Sequence, residues 1–245
     1  MVTGDSMVTA NSTDSRPPFD QLAVLYDRFI GAMDREGNPA RDWLLTHLVG
    51  GGRALDVGCG NGRNCRLVAD RYREVVGVDI SADMLRVARS KDNPPNVRYE
   101  RRDVRELSPE RDGVFDAVFA MNSLFAMGPA EAVLPLLRPL VAPGGRLVVL
   151  DVTRPDDAPV PDDETRQTFH PFEVAHTVYR LSGDTEDAVA ALRYMLHPAW
   201  REMSAGLVPP TLGAFRRAYE GVVPGVEFAP EVVPTLTGAV WRAPV

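Results

Sequence analysis

Lysine is nearly missing from this chain. Of its 27 basic residues only Lys91 is a lysine, and the others are arginines. Schiff-base chemistry and P-loop phosphate binding each require a lysine at a defined place. The surroundings of Lys91, Ala88-Arg-Ser-Lys-Asp-Asn-Pro-Pro95, read as the frayed end of a helix, which disfavours both. Cysteine is scarce as well. Cys59 and Cys65 alone make no disulfide framework, and four scattered histidines make no zinc site. A reducing, cytoplasmic setting suits such a chain. No apolar run reaches the ~18 residues of a membrane span, and Met1 to Arg16 lacks the apolar stretch of a secretory signal. The net charge of −7 argues against nucleic acid or an anionic membrane as partner.

What is present is periodic. A length of 245 residues suits one large domain. Residues 1–17, rich in Ser, Thr, Asp and Asn, are expected to form a disordered tail ahead of a single domain over 18–245. Leu22, Leu25, Tyr26, Phe29 and Ile30 recur at helical spacing, and a second helix is predicted from Pro39 to about Val49. Short apolar strands then alternate with helices. Strands are expected at 53–58, 74–79, 97–102, 115–121 and 146–152. Helices are expected at 64–72, 82–90 and 129–140, the last kinked or divided at Pro135. Beyond Val152 the pattern weakens. Thr168 to Leu181 fits helix or strand, 187–203 is helical with a break at His197-Pro198, and Thr211 to Tyr219 is a short helix. Two strand-like runs, 226–233 and 237–242, can pair as a hairpin. This alternation predicts an α/β fold with a doubly wound, mostly parallel sheet. Its ligand should bind beyond the carboxyl ends of the strands.

Those ends carry a pattern. The first strand runs into Asp56-Val-Gly58-Cys59-Gly60-Asn61-Gly62, where glycines let backbone N–H groups approach a ligand and open a helix. A dinucleotide fingerprint would put its third glycine three places after the second, but Gly62 is two after Gly60 and Arg63 stands in the later place. A carboxylate at Asp56 without a phosphate-binding lysine suits a cationic ligand that lacks phosphates. Asp79 ends the second strand, where an acid can take both hydroxyls of a ribose. Asp103 ends the third, where an acid can accept from an adenine amino group beside the apolar Val104.

Together Leu55-Asp-Val-Gly-Cys-Gly-Asn-Gly-Arg63, Val76-Gly-Val-Asp-Ile-Ser81, Asp103-Val104, Phe115-Asp-Ala-Val-Phe119 and Leu137-Arg-Pro-Leu-Val-Ala-Pro-Gly-Gly-Arg-Leu147 resemble the ordered motifs of class I S-adenosylmethionine-dependent methyltransferases. The resemblance implies a Rossmann-like sheet of seven strands with an antiparallel closing hairpin and helices on both faces. It implies a cofactor core at about 50–152 and an inserted acceptor segment at about 153–210. Asp56, Gly58, Cys59 and Gly60 would surround the methionine moiety. Asp79 would bind the ribose, with Ile80 on the adenine and Asp103 and Val104 at its edge. Asn122 would lie beside the transferred methyl, and Tyr26 would close the pocket.

Base- and amide-methylating families carry Asn or Asp, two prolines and an aromatic after the fourth strand. Here that place reads Ala120-Met-Asn-Ser-Leu-Phe125, which favours a small-molecule acceptor, a bacterial natural product among the options. His170 and His176, in the inserted segment, are the candidate general bases. His47 is read as solvent-facing and His197 as a helix cap. The cluster Arg98, Arg101, Arg102 and Arg105 is read as a solvated, salt-bridged edge. Two alternatives stand beside this reading: an S-adenosylmethionine-binding protein that transfers no methyl, and a nicotinamide-dependent oxidoreductase. Whether oxygen, nitrogen or carbon is methylated, and the oligomeric state, stay open at this level.

Overall fold

The structure, a computed structural model, describes residues 17–33, 38–160, 162, 164–205 and 207–245. The expected tail over 1–16 lies outside them. Five segments form parallel strands: β1 (Gly51–Val57), β2 (Tyr72–Asp79), β3 (Val97–Arg101), β4 (Phe115–Met121) and β5 (Val141–Val152). The near-continuous Val, Leu and Ala content of β1, β2, β4 and β5 follows from burial on both faces, whereas β3, at the sheet edge, is polar and partly exposed. Two further strands, β6 (Glu227–Val233) and β7 (Leu236–Arg242), close the sheet antiparallel to β5. The seven strands take the order β3-β2-β1-β4-β5-β7-β6. Strand order reverses between β1 and β4, so a crevice opens there at the carboxyl ends.

One face of the sheet is covered by α6 (Ala130–Leu137) and α10 (Leu212–Val222), with Phe215, Tyr219 and Leu134 against Leu55, Val118, Leu147 and Trp241. On the other, α2 (Pro39–His47), α3 (Arg63–Val68) and α4 (Ala82–Arg89) bring Leu44, Leu48, Val68 and Leu85 onto Ala54, Val75, Phe119 and Val148. A short α5 (Pro109–Asp112) is tied to β3 through an Arg102–Asp112 ion pair. The remaining helices form a cap with its own apolar centre. α1 (Pro18–Met33), α7 (His170–Ser182), α8 (Thr185–Met195) and α9 (Pro198–Ala205) pack Leu22, Ala32, Val178, Ala191, Tyr194 and Ala199 together. Among the described residues no helix is long and apolar enough to cross a membrane.

Several local expectations change. The helix after β1 is shorter than predicted: α3 ends at Val68, a 3-10 turn covers Ala69–Arg71, and Tyr72 already pairs in β2. Pro135 sits inside α6 without dividing it, and the chain tightens into a 3-10 turn at Arg138–Leu140. The Pro143-Gly-Gly145 stretch lies within β5, where the register against β4 shifts, rather than before the strand. Thr168 to Leu181 resolves as helix, a π turn at Thr165–Phe169 leading into α7. His197 acts as the sequence suggested, its Nδ1 accepting from Ala199 N at 3.2 Å where α9 begins. His47 differs: it is partly covered and its ring tilts against Trp43. In the arginine cluster, Arg98 is an exposed partner of Glu74 and Glu100, whereas Arg102 is buried at 8 % exposure.

Candidate functional site

The strand ends meet in a loop stitched tightly to the sheet. Gly58 N and Cys59 N both donate to Val78 O, at 2.9 and 3.0 Å. Gly58, at φ 73°, is fixed by more than its dihedral, because a Cβ there would come within 2.6 Å of Ser123 Cβ and 2.7 Å of Met127 Cε. Ser123 belongs to the turn that follows β4. That turn starts at Asn122, in the left-handed region at φ 53°, whose N–H reaches Leu150 O at 2.6 Å. Ser123 Oγ donates to Val57 O at 2.7 Å, so the loop after β1 and the turn after β4 form one packed unit.

Asp56 lies under this unit, 1 % exposed. Cys65 Sγ donates to its Oδ2 at 3.2 Å, while Oδ1 is buried with no partner. Burial pushes its carboxyl up to about 7, and the charge of Asp79 adds to that, against the Cys65 bond and the nearby Arg63. The two cysteines crowd into space left by a glycine, since a Cβ on Gly77 would meet both Sγ atoms at 2.8 Å. Both thiols are buried and free, and burial pushes both upward, which makes them structural rather than nucleophilic.

Asp79 sits beside the loop. Its Oδ2 accepts from Gly60 N and its Oδ1 from Ser81 N, each at 2.8 Å, and burial raises its carboxyl despite both bonds. Ile80 next to it is 48 % exposed, an apolar side chain open beside an acid. At the end of β3, Asp103 caps a 3-10 turn, accepting from Arg105 N at 2.9 Å and pairing with Arg105 Nη1 at 2.9 Å. Val104 is buried in the core at 6 % exposure.

The helix α1 lies over the loop and is held through two of its residues, Asp20 and Asp27. Asp20 Oδ1 accepts from Ser81 Oγ at 2.6 Å and Asp83 N at 3.1 Å. Asp27 accepts from Asn61 Nδ2 at 2.8 Å and from Lys91 Nζ at 2.6 Å. Tyr26 lies between them, 3.8 Å from where a Gly60 Cβ would stand. Burial and the fields of Asp79 and Asp56 push its phenol up to about 12, opposed by Arg63. Its ring joins Phe19 and Tyr194 in the cap. The structure therefore brings Tyr26, Asp56, Gly60 and Asp79 into one cluster, flanked by Gly58, Cys59, Ile80 and Asn122. His170 and His176 lie on the exposed face of α7, with His170 Nδ1 3.7 Å from Glu173 Oε2.

Sequence reading passed over Asp20, Asp27, Asn61 and Asp151. An available signal marked the last: Asp151 is a charge at the end of an apolar strand run, a place normally filled by Val, Ile or Leu. The donor set fits a cationic, hydroxyl-bearing ligand. A buried carboxylate oxygen has no partner, and a second acid, Asp79, stands beside it at the end of the next strand.

Residues 54–145, from β1 to the middle of β5, match a family model described as a methyltransferase domain. Over those residues the chain is similar to a methyltransferase domain, and its sheet has the fold of S-adenosylmethionine-dependent methyltransferases. It is 32 % identical over 123 residues to a ubiquinone biosynthesis O-methyltransferase of Acinetobacter baylyi, covering 48 % of this chain and 52 % of that one. A trans-aconitate 2-methyltransferase of Paracidovorax citrulli is 33 % identical over 149 residues, covering 60 % of this chain and 54 % of its own. The chain thus spans little more than half the length of these two relatives. Among solved structures, the DhpI–SAH complex superposes with a TM-score of 0.61 at 21 % identity, over 92 % of this chain and 93 % of that one. In this methyltransferase fold the cap helices α1, α7, α8 and α9 stand outside the matched residues, as α6 and the strands up to β5 do not.

Proposed function

We propose that this chain transfers a methyl group from S-adenosylmethionine to an oxygen atom of a small-molecule acceptor. The observation that carries the cofactor assignment is Asp56, whose buried, partnerless Oδ1 is a receptor for the ammonium of the cofactor's methionine end. Asp79 would take the ribose hydroxyls, Ile80 would pack on the adenine, and Asp103 and Val104 would bound its edge. Gly58, Cys59 and Gly60 bring the backbone close, although Cys59 N is committed to Val78 O and contributes placement rather than a free donor. Asn122 would border the methyl, and Tyr26 on α1 would close the pocket. Oxygen is favoured as acceptor atom by the likeness to an O-methyltransferase.

When bound, S-adenosylmethionine supplies a methyl already activated on a sulfonium. The protein's part is alignment and exclusion of water. The β1 loop and the β4 turn, locked together through Ser123, fix one side of the pocket. The α1 helix, latched through Asp20 and Asp27, shields the other. No general base is assigned, because His170 and His176 point to solvent from α7. The excess of acid supports a small acceptor over a polyanion.

Titration calorimetry with S-adenosylmethionine, S-adenosylhomocysteine and NAD tests the reading. Binding of the first two is expected, and preference for NAD would overturn it. Methyl transfer to an oxygen acceptor is tested by screening phenols and carboxylates for release of S-adenosylhomocysteine.

A further inference from the structure

Asp151 is the last charged residue of β5, and it is 4 % exposed. Both oxygens of its carboxylate receive a backbone N–H: Oδ2 from Phe125 and Oδ1 from Val152, each at 2.9 Å. The first of these bonds leaves the strand. Phe125 lies in the turn after β4, between Asn122, at positive φ, and Met127. That turn is then gripped from three sides, by Leu150 O on the Asn122 N–H, by Val57 O on the Ser123 hydroxyl, and by Asp151 on the Phe125 N–H. Its far side touches the cofactor loop, since Ser123 and Met127 fill the space above Gly58. A carboxylate buried at this depth is costly, and an apolar residue would satisfy the strand more cheaply. Its cost is offset by orienting a backbone that hydrophobic packing alone would leave free to turn.

We propose that Asp151 is a positioning residue that acts through the Phe125 N–H to hold the β4 turn, and with it Gly58 and Asn122, in the geometry that receives cofactor and acceptor. The role rests on the methyl-transfer reading for its purpose. Two N–H donors converging on two oxygens select the ionised carboxylate, while burial pushes the group up to about 7. Among the described residues the titratable group set against it is Tyr219 of α10, whose phenol burial pushes far up and which stays neutral across this range. Opposite it on β7 stands the neutral Thr237. The grip on the turn therefore weakens as Asp151 takes up a proton on the acid side of neutrality.

The test is a backbone-amide NMR titration of the full chain from pH 5.5 to 8.5, in the wild type and in Asp151→Asn, paired with S-adenosylhomocysteine calorimetry at each pH. The amide signals of Phe125 and Val152 are expected to move together with a common midpoint, a movement absent in the variant. The variant is expected to bind S-adenosylhomocysteine roughly 3- to 30-fold more weakly at pH 8. Static wild-type amides overturn the proposal, as does a variant that is destabilised yet binds like the wild type. Should the variant fail to fold, the wild-type titration decides alone. A wild type that binds no S-adenosylhomocysteine at any pH overturns the methyltransferase reading instead, a result the amide signals cannot mimic.

Discussion

Lys91 Nζ and Asp27 Oδ2 meet at 2.6 Å, so the chain's one lysine ties the cap helix α1 to the end of α4. The other oxygen of Asp27 holds Asn61 of the glycine loop at 2.8 Å. The two bonds differ in worth. The ion pair is partly exposed and is expected to contribute about 0.2–1 kcal/mol. The Asn61 bond fixes the loop itself. Lys91→Met is therefore expected to leave S-adenosylhomocysteine affinity within about 5-fold of wild type. Asp27→Ala should weaken it further and speed hydrogen exchange in α1. Calorimetry and exchange mass spectrometry check both, and equal effects from the two changes would sink the distinction.

Asp79→Ala removes the acceptor of Gly60 N and Ser81 N as well as the proposed ribose ligand. Charge-assisted bonds of this kind are worth about 1.5–3 kcal/mol, so affinity for S-adenosylhomocysteine should fall about 10- to 100-fold. Unchanged binding would remove the ribose assignment.

Asp56 predicts a pH dependence. Its folded carboxyl, near 7, lies above its unfolded value, so the protonated form is favoured by folding. That contribution to stability is fully present at low pH and is lost as pH rises through about 7. Cofactor binding runs the other way, since a ligand ammonium needs the ionised acid. Affinity should rise with pH up to about 7, by at most tenfold per unit, and proton release on binding should appear in buffers of different ionisation enthalpy. Asp56→Asn should flatten both trends; a variant with the wild-type pH profile would refute the assignment.

The sheet was legible because its central strands are apolar runs, and Asp56 and Asp79 could be read because each is a charge at or next to the end of such a run. The cap was only half legible. The helical period of Leu22, Tyr26 and Phe29 announced a buried face, but nothing local named Tyr194 and Trp200 as what buries it. Asp27 and Lys91 are 64 positions apart and meet only once the glycine loop has brought α1 and α4 together. Asp103 looked free to meet a ligand, yet a residue at that turn also answers to the orphan N–H of Arg105.

Gly77→Ala is expected to destabilise the fold by about 1–3 kcal/mol, because the added methyl meets two sulfur atoms in a close-packed layer. Pairing it with Cys59→Ala should restore part of the loss. Thermal denaturation of the single and double variants measures this, and strict additivity would show that the three side chains do not share one space.

The cap also bears on how the chain reaches its fold. Arg28 of α1 bonds Glu186 of α8 across 158 positions, and the five parallel strands of the sheet lie between them in sequence. Closing so long a loop costs entropy that only a collapsed intervening sheet can reduce. The strands should therefore order first and α1 should dock late, so that the helix proposed to seal the cofactor is also the element whose arrival completes folding.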